Sequence, residues 1–320
     1  GDSGGPLSHL NNKGLQTVIG LVAKGIPLCP EIPLLPGLYT NVVENLDWIQ
    51  ETIAQTSSCG IRELQPQNTN PLEAGIGEFP WMTRILKQDG GLVTYGALIS
   101  SNWLLTRASS VRDRSSQSLK VRVGALHIDP ALDQLDDEVP IDKIIIHPQY
   151  NVGSPFSTLH NDVALLHVAK SVNMVGLPHI GPVCLPSQGE TFTGQRCWVT
   201  GWTREATGTS ADGTSVLQKE SLLIWEPLAC DRQLRKHSDT PQNFTLDRSS
   251  SLCAGGEPGK NVCVGAGAPL VCEGSDGRYV LVGIGSWWLD REDTCIRSNN
   301  PYVYSYIPNL LDFIKQNTGI

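Results

Sequence analysis

The chain has 320 residues, a length that points to about two domains, and its 40% hydrophobic content is enough for globular cores. With 32 acidic against 24 basic residues, a net charge of −8 and a pI near 5.4, it is a poor match for nucleic acid, whose phosphates require clustered Lys and Arg. No apolar run approaches the roughly 20 residues of a membrane helix, so neither a membrane nor a nucleic acid is expected as a partner.

The first stretch, GDSGGPL at 1–7, sets a serine between an aspartate and two glycines. A serine hydroxyl is a poor nucleophile at neutral pH. It needs a histidine to take its proton, a carboxylate to orient that histidine, and backbone amides to hold the oxyanion. Flanking glycines suit this chemistry, because two N–H groups aimed at one point leave little room for side chains. An ordinary Gly-Ser turn has the same composition, but the length of the match favours a site.

Further along, GLYTNVVENLDWIQ at 37–50 aligns without a gap on YVYSYIPNLLDFIK at 302–315, each a tyrosine strand followed by an amphipathic helix. Working back through both copies, VIGLVAKG at 18–25 matches LVGIGSWW at 281–288, and GDSGGPL matches GAGAPL at 265–270. The expected organisation is the C-terminal part of one domain at 1–57, a polar, proline-bearing linker at 58–73 and a whole second domain at 74–320. In the latter, short runs such as KVRVGAL, DKIIIHP, DVALLHV and GRYVLVGIGSWW indicate closed or sandwiched β-structure ending in one helix. Arg107, Arg112 and Arg114 form a short basic patch that reads as a solvated loop. Nine cysteines without a CxxC pair read as disulfides rather than zinc ligands, which places the chain in an oxidising, extracellular compartment. The glycosylation sequon at Asn243 agrees.

Seven motifs follow in order: GEFPW (77–81), WLLT (103–106), IIIHPQYN (144–151), NDVALL (161–166), CLP (184–186), CWVTGW (197–202) and LCAGG (252–256). Together they resemble the trypsin-like (chymotrypsin family) serine endopeptidases. The resemblance implies an all-β fold of two packed six-stranded antiparallel β-barrels with a C-terminal helix, preceded by the C-terminal part of a second such domain. It places the active site in the cleft between the barrels and calls for no cofactor and no metal.

Residue by residue, the resemblance puts the general base at Ser109, within Arg107-Ala108-Ser109-Ser110. A serine cannot accept and return protons near neutral pH. Asp162 matches the orienting carboxylate and, without its histidine, reads as a buried acceptor; His160 beside it reads as a loop residue. Because GAGAPL is one residue shorter than GDSGGPL, Gly267 or the gap takes the nucleophile's place, Ala266 the aspartate's, and the oxyanion amides should be disturbed. The family's activation cleavage site and buried Ile-Val-Gly-Gly terminus correspond to 67–71, which has no basic residue and no apolar terminus. One family disulfide is absent as a pair, with Ser110 at one end and Thr94 or Tyr95 at the other. The remaining pairings implied are Cys59 with Cys184, Cys197 with Cys272, Cys230 with Cys253 and Cys263 with Cys295, while the partner of Cys29 would precede Gly1.

The substrate pocket is expected to be blocked, with Trp288 and Tyr302 on walls that are normally small and the uncharged Asn261 at the floor. The alternative has Trp288 turned outward as an exposed aromatic of a partner surface. In the first-domain remnant, Ser3 matches the nucleophile, Gly1 and Ser3 the oxyanion amides, and Asp2 the activation aspartate. His9 and Ala23-Lys24-Gly25 depart from the pattern and leave its specificity open. The acidic run at 133–138 lies where some family members bind calcium and reads as a solvated loop.

Two functional readings follow. GEFPWM, IIIHPQYN and LCAGGEPGK look like arthropod clip-type serine protease homologues that assist prophenoloxidase activation. By that analogy the second domain is a secreted, non-catalytic module that binds a protein partner (a protease, zymogen or inhibitor) in a protease cascade. The alternative is a tandem endopeptidase whose first domain, with nucleophile Ser3, is active.

Overall fold

The computed structural model describes residues 5–10, 16–24, 38–46, 49, 59–64, 70–133, 137–152, 159–202, 216–237, 240, 244–257, 265–289 and 300–320. Gly1, Ser3, Cys29, Asn243, Asn261, Cys263 and Cys295 lie outside the described residues. The chain divides into two compact units, Gly1–Thr56 and Ser57–Ile320.

The first unit contains an antiparallel sheet of β1 (Pro6–Leu10), β2 (Gln16–Lys24) and β3 (Leu38–Asn41), in that order. Leu7, Val18, Ile19, Leu21, Leu38 and Tyr39 are all exposed. Exposed apolar residues from all three strands mean that this sheet has no second layer of its own among the described residues.

The second unit begins with a closed barrel. Its strands are β4 (Met82–Lys87), β5 (Leu92–Leu98), β6 (Trp103–Thr106), β7 (Leu119–Val123), β8 (Asp137–Ile146) and, after a small hairpin of β9 (Asn151–Val152) and β10 (Leu159–His160), β11 (Ala164–Val168). A six-stranded sheet follows: β12 (Arg196–Gly201), β13 (Gln218–Leu223), β14 (Ser251–Ala254), β15 (Pro269–Glu273), β16 (Tyr279–Trp287) and β17 (Tyr302–Tyr306), in the order β13-β12-β15-β16-β17-β14. Its two edges meet in a single bridge, Ile224 with Ala254, so this second sheet curls toward closure without a full ladder between its ends. The double-barrel, all-β architecture is the one the motifs implied.

The internal repeat extends to strand irregularities. β1-β2-β3 and β15-β16-β17 are paired in the same order, and both carry a bulge in the strand pair ending at the matched positions Val22/Lys24 and Gly285/Trp287. At the matched glycines, a Cβ on Gly20 would lie 3.2 Å from Tyr39 Cβ and one on Gly283 would lie 2.9 Å from Tyr304 Cβ. Each copy needs a bare backbone where its tyrosine crosses.

Among the described residues of the second unit are three α-helices: α1 (Ala108–Val111), α2 (Pro227–Leu234) and α3 (Leu311–Thr318). The reading of a single terminal helix missed α2. Its signal was a start motif, with Glu226 capping the Ala229 amide at 2.8 Å and Pro227 entering at the first turn. α3 buries Leu311, Phe313 and Ile314 and ends at Gly319 in the left-handed region. Cys59–Cys184, Cys197–Cys272 and Cys230–Cys253 are disulfide-bonded, each contributing about 2–4 kcal/mol against the unfolded chain. No helix among the described residues is long and apolar enough to cross a membrane.

The acidic run at 133–138 is not a wholly solvated loop. Asp133, with a side chain only 7% exposed, accepts the amides of Leu126 and His127 at 2.9 and 2.7 Å and approaches buried Arg122 at 3.5 Å. The carboxylate closes the 125–133 loop from inside, and Asp137 and Glu138 continue into β8.

His147 packs edge-on against Phe313 of α3, with ring centroids 4.7 Å apart, and burial holds its imidazole below the usual histidine range. The unfolded chain then takes up a proton near pH 6.5 that the folded one refuses. Stability is expected to be level above that pH and to fall as pH drops through the interval down to the depressed folded value. Urea midpoints from pH 8 to 5 check this, and His147→Gln should flatten that segment of the profile.

Candidate functional site

The site expected from the motifs lies where β6 runs into α1 and where the segment before β11 carries Asp162. Asp162 is fully buried. Its Oδ1 accepts the Ser109 amide at 2.7 Å, and its Oδ2 accepts the hydroxyls of Ser109 at 2.9 Å and Ser286 at 2.7 Å. Its carbonyl accepts the Ser305 hydroxyl at 2.9 Å. Ser286 and Ser305 sit on β16 and β17, so one residue of the closed barrel is bonded to two strands of the second sheet. These donors replace the water that the carboxylate loses on burial. None of them is an imidazole.

Arg107 corrects its reading as part of a solvated patch. It is half-buried, with Nε donating to Ser110 Oγ at 2.5 Å and Nη1 to the Ser286 carbonyl at 3.1 Å. Arg112 and Arg114 remain exposed. The extended backbone at Ser286 is thus engaged by the chain itself.

The 265–268 turn has no side chain beyond a methyl to offer. Gly267 is buried with φ of 83°, and a Cβ there would lie 2.3 Å from Thr94 Oγ1 and 2.4 Å from the Tyr95 carbonyl oxygen. Of the two amides matched to those of Gly1 and Ser3, the one on Gly267 is spent internally. Gly267 N–H donates to the Gly285 carbonyl at 2.9 Å and Ala268 N–H to the Gly265 carbonyl at 3.2 Å. A developing negative charge at this turn would lack the Gly267 donor.

Of the residues expected at the pocket, Tyr302 is 2% exposed and stacks on half-buried Trp288, with ring centroids 5.2 Å apart and an interplanar angle of 29°. The stacked pair lies against β16, since a Cβ on Gly285 would be 3.3 Å from Tyr302 Oη. That hydroxyl is buried without a hydrogen-bond partner, and desolvation pushes it well above the usual phenol range. An unpaired buried hydroxyl costs about 1–3 kcal/mol. Tyr302→Phe is therefore expected to leave the fold intact and raise stability by about 1 kcal/mol, read from the thermal midpoint.

His160 is on β10 rather than in a loop, and it is not brought to Ser109. Its Nδ1 lies 2.9 Å from Asp247 Oδ2. Burial would raise the Asp247 carboxyl, but bonds from Ser249, Ser250 and His160 outweigh it and hold the group far below the usual range. Sequence reasoning missed Ser286 and Arg107 as partners. The first had a signal, since Ser286-Trp287 preserves the start of the Ser-Trp-Gly pattern that Ala23-Lys24-Gly25 lacks.

Comparison with known proteins places this geometry. The family model described as Trypsin matches residues 70–314. The inactive CLIP domain-containing serine protease A3 of Aedes aegypti is 34% identical over 74% of this chain, which spans about half (49%) of that protein. Phenoloxidase-activating factor 2 of Galleria mellonella is 34% identical over 77% of this chain and 82% of its own length. Transmembrane protease serine 9 of Rattus norvegicus is 28% identical over 98% of this chain, which covers 33% of it. With a family match across most of the second unit and a double-barrel fold around a recognisable but altered site, the chain belongs to the trypsin family of serine proteases.

Proposed function

We propose that the second unit, with domain limits 74–320 after a linker at 58–73, is a non-catalytic binding module acting on a protein partner in an extracellular protease cascade. One observation carries the reading: the base position is Ser109, bonded to Asp162, and the nucleophile position is a turn that excludes any side chain at Gly267. The relatives named inactive or activating factor support a regulatory role for this chain. The stacked Trp288 and Tyr302 fit a cleft that is not used for substrate side chains. A fluorophosphonate probe applied to the whole protein tests the proposal. No label should enter residues 59–320, and a labelled peptide from that range would refute it.

A second reading is favoured by the rat relative, which matches along both units, and by GDSGGPL at 1–7. In it the segment at residues 1–57 belongs to an endopeptidase domain whose nucleophile is Ser3, with oxyanion amides at Gly1 and Ser3, and the domain at 74–320 modulates it. Labelling of Ser3 by the same probe in the natural protein decides for this reading.

A further inference from the structure

We propose that the contact between β5 and the 265–268 turn is a preset lock, which holds the cleft of the second unit in one conformation whether or not the segment ahead of it is cut. The turn is gripped from the barrel side. The Ala266 carbonyl accepts the Tyr95 amide at 3.2 Å and the Thr94 hydroxyl at 2.9 Å. The Tyr95 ring lies against the start of the turn, where a Cβ on Gly265 would be 2.1 Å from Cε2. That ring is 1% exposed and sits 5.6 Å from the fully buried ring of Trp202, whose Nε1 donates to the Leu126 carbonyl at 3.0 Å. Gly267 in the left-handed region lets the backbone approach β5 more closely than any side chain would permit.

The other side of the turn is held as firmly. Gly267 and Gly285 exchange bonds with the 267–285 backbone, through Gly267 N–H to the Gly285 carbonyl and Gly285 N–H to the Ala268 carbonyl, both at 2.9 Å. Every one of these contacts is made by residues already inside the folded unit. The segment ahead of the barrel goes elsewhere: Ala74 N–H donates to the Leu217 carbonyl and Lys219 N–H to the Leu72 carbonyl, both at 2.8 Å, beside β13. A new amino terminus near 67–71 would find a methyl at Ala266, where the first copy has the carboxylate of Asp2. Nothing in the turn waits for cleavage to order it.

This deepens the non-catalytic reading by stating how the cleft is regulated, namely not by cutting ahead of it. The test uses the whole 320-residue chain carrying a tobacco etch virus protease site inserted between Gln67 and Asn68. Amide hydrogen exchange of 265–289 is measured before and after cleavage. Rates are expected to agree within about twofold, and a change of about tenfold or more on cleavage overturns the proposal. In a second arm, Thr94→Val removes the hydroxyl bond while keeping the shape, and should speed exchange in the 265–268 turn by about tenfold, with Thr94→Ser restoring protection. Unchanged exchange in Thr94→Val also overturns the lock. Fluorophosphonate labelling of 59–320 would instead refute the non-catalytic reading and leave the exchange result standing.

Discussion

Gly267→Ser, alone or together with Ser109→His, should produce a less stable protein that still turns over no ester or amide substrate. A serine side chain at position 267 meets Thr94 Oγ1 and the Tyr95 carbonyl at 2.3 and 2.4 Å, on backbone with φ of 83°. The left-handed conformation costs a residue with a Cβ about 1–2 kcal/mol, and forcing an atom into a filled site adds about 1–3 kcal/mol. The total expected loss is about 2–5 kcal/mol, visible as a lower urea midpoint at unchanged slope. Activity stays absent because the defect is not confined to the missing imidazole and hydroxyl. The Gly267 amide, which matches the Ser3 amide of the first copy, is already bonded to the Gly285 carbonyl, so a restored nucleophile would attack with that oxyanion donor spent. Hydrolysis above background by the double variant would contradict this account of the turn.

Asp162→Ala is expected to be the most damaging single substitution at the degenerate site. It would leave the Ser109 amide and the hydroxyls of Ser109 and Ser286 without their acceptor in a fully buried position. Removing one partner from a buried, charge-assisted network costs about 3–5 kcal/mol, against about 1 kcal/mol for an exposed pair. Chemical denaturation of Asp162→Ala and Asp162→Asn measures it. The amide variant keeps one acceptor oxygen and should lose less. A catalytic carboxylate retained only by descent would show no such loss, so the experiment also separates a structural role for Asp162 from a vestigial one.

Much of the architecture was readable from short-range pattern. The compact apolar runs of β4 to β8 and β12 to β17 carry their strand character locally, and the repeated tyrosine strand and helix announced a second copy of the same sheet. The matched bulges and matched glycines of the two copies show how far that local information extends. The altered base and nucleophile positions were also visible, because WLLT just ahead of Ser109 and the Pro269-Leu270 that closes GAGAPL keep both stretches in register with the motifs they resemble. The short α2 was overlooked because its apolar face is brief and its start signal, Glu226-Pro227, is easily read as a turn.

Contacts across the fold were not legible. Arg107 reads as one of three surface cations until its guanidinium is seen on a carbonyl 179 residues away, and Thr94 reads as a lost cysteine until its hydroxyl is seen on Ala266, 172 residues on. Asp133 looked like one charge in an acidic run, and only the loop's closure around it turned the carboxylate inward.

Residue identities alone thus pointed to the family and the strand-rich architecture, and to the repeated segment at 302–315, since each depends on neighbours in the chain. Tertiary structure decided how these positions are held: a carboxylate bonded to serines, a turn fastened to β5 and two stacked rings at Trp288 and Tyr302. Partners of that kind are selected by which distant segments the folded barrels bring within about 3 Å, and no local pattern encodes that distance.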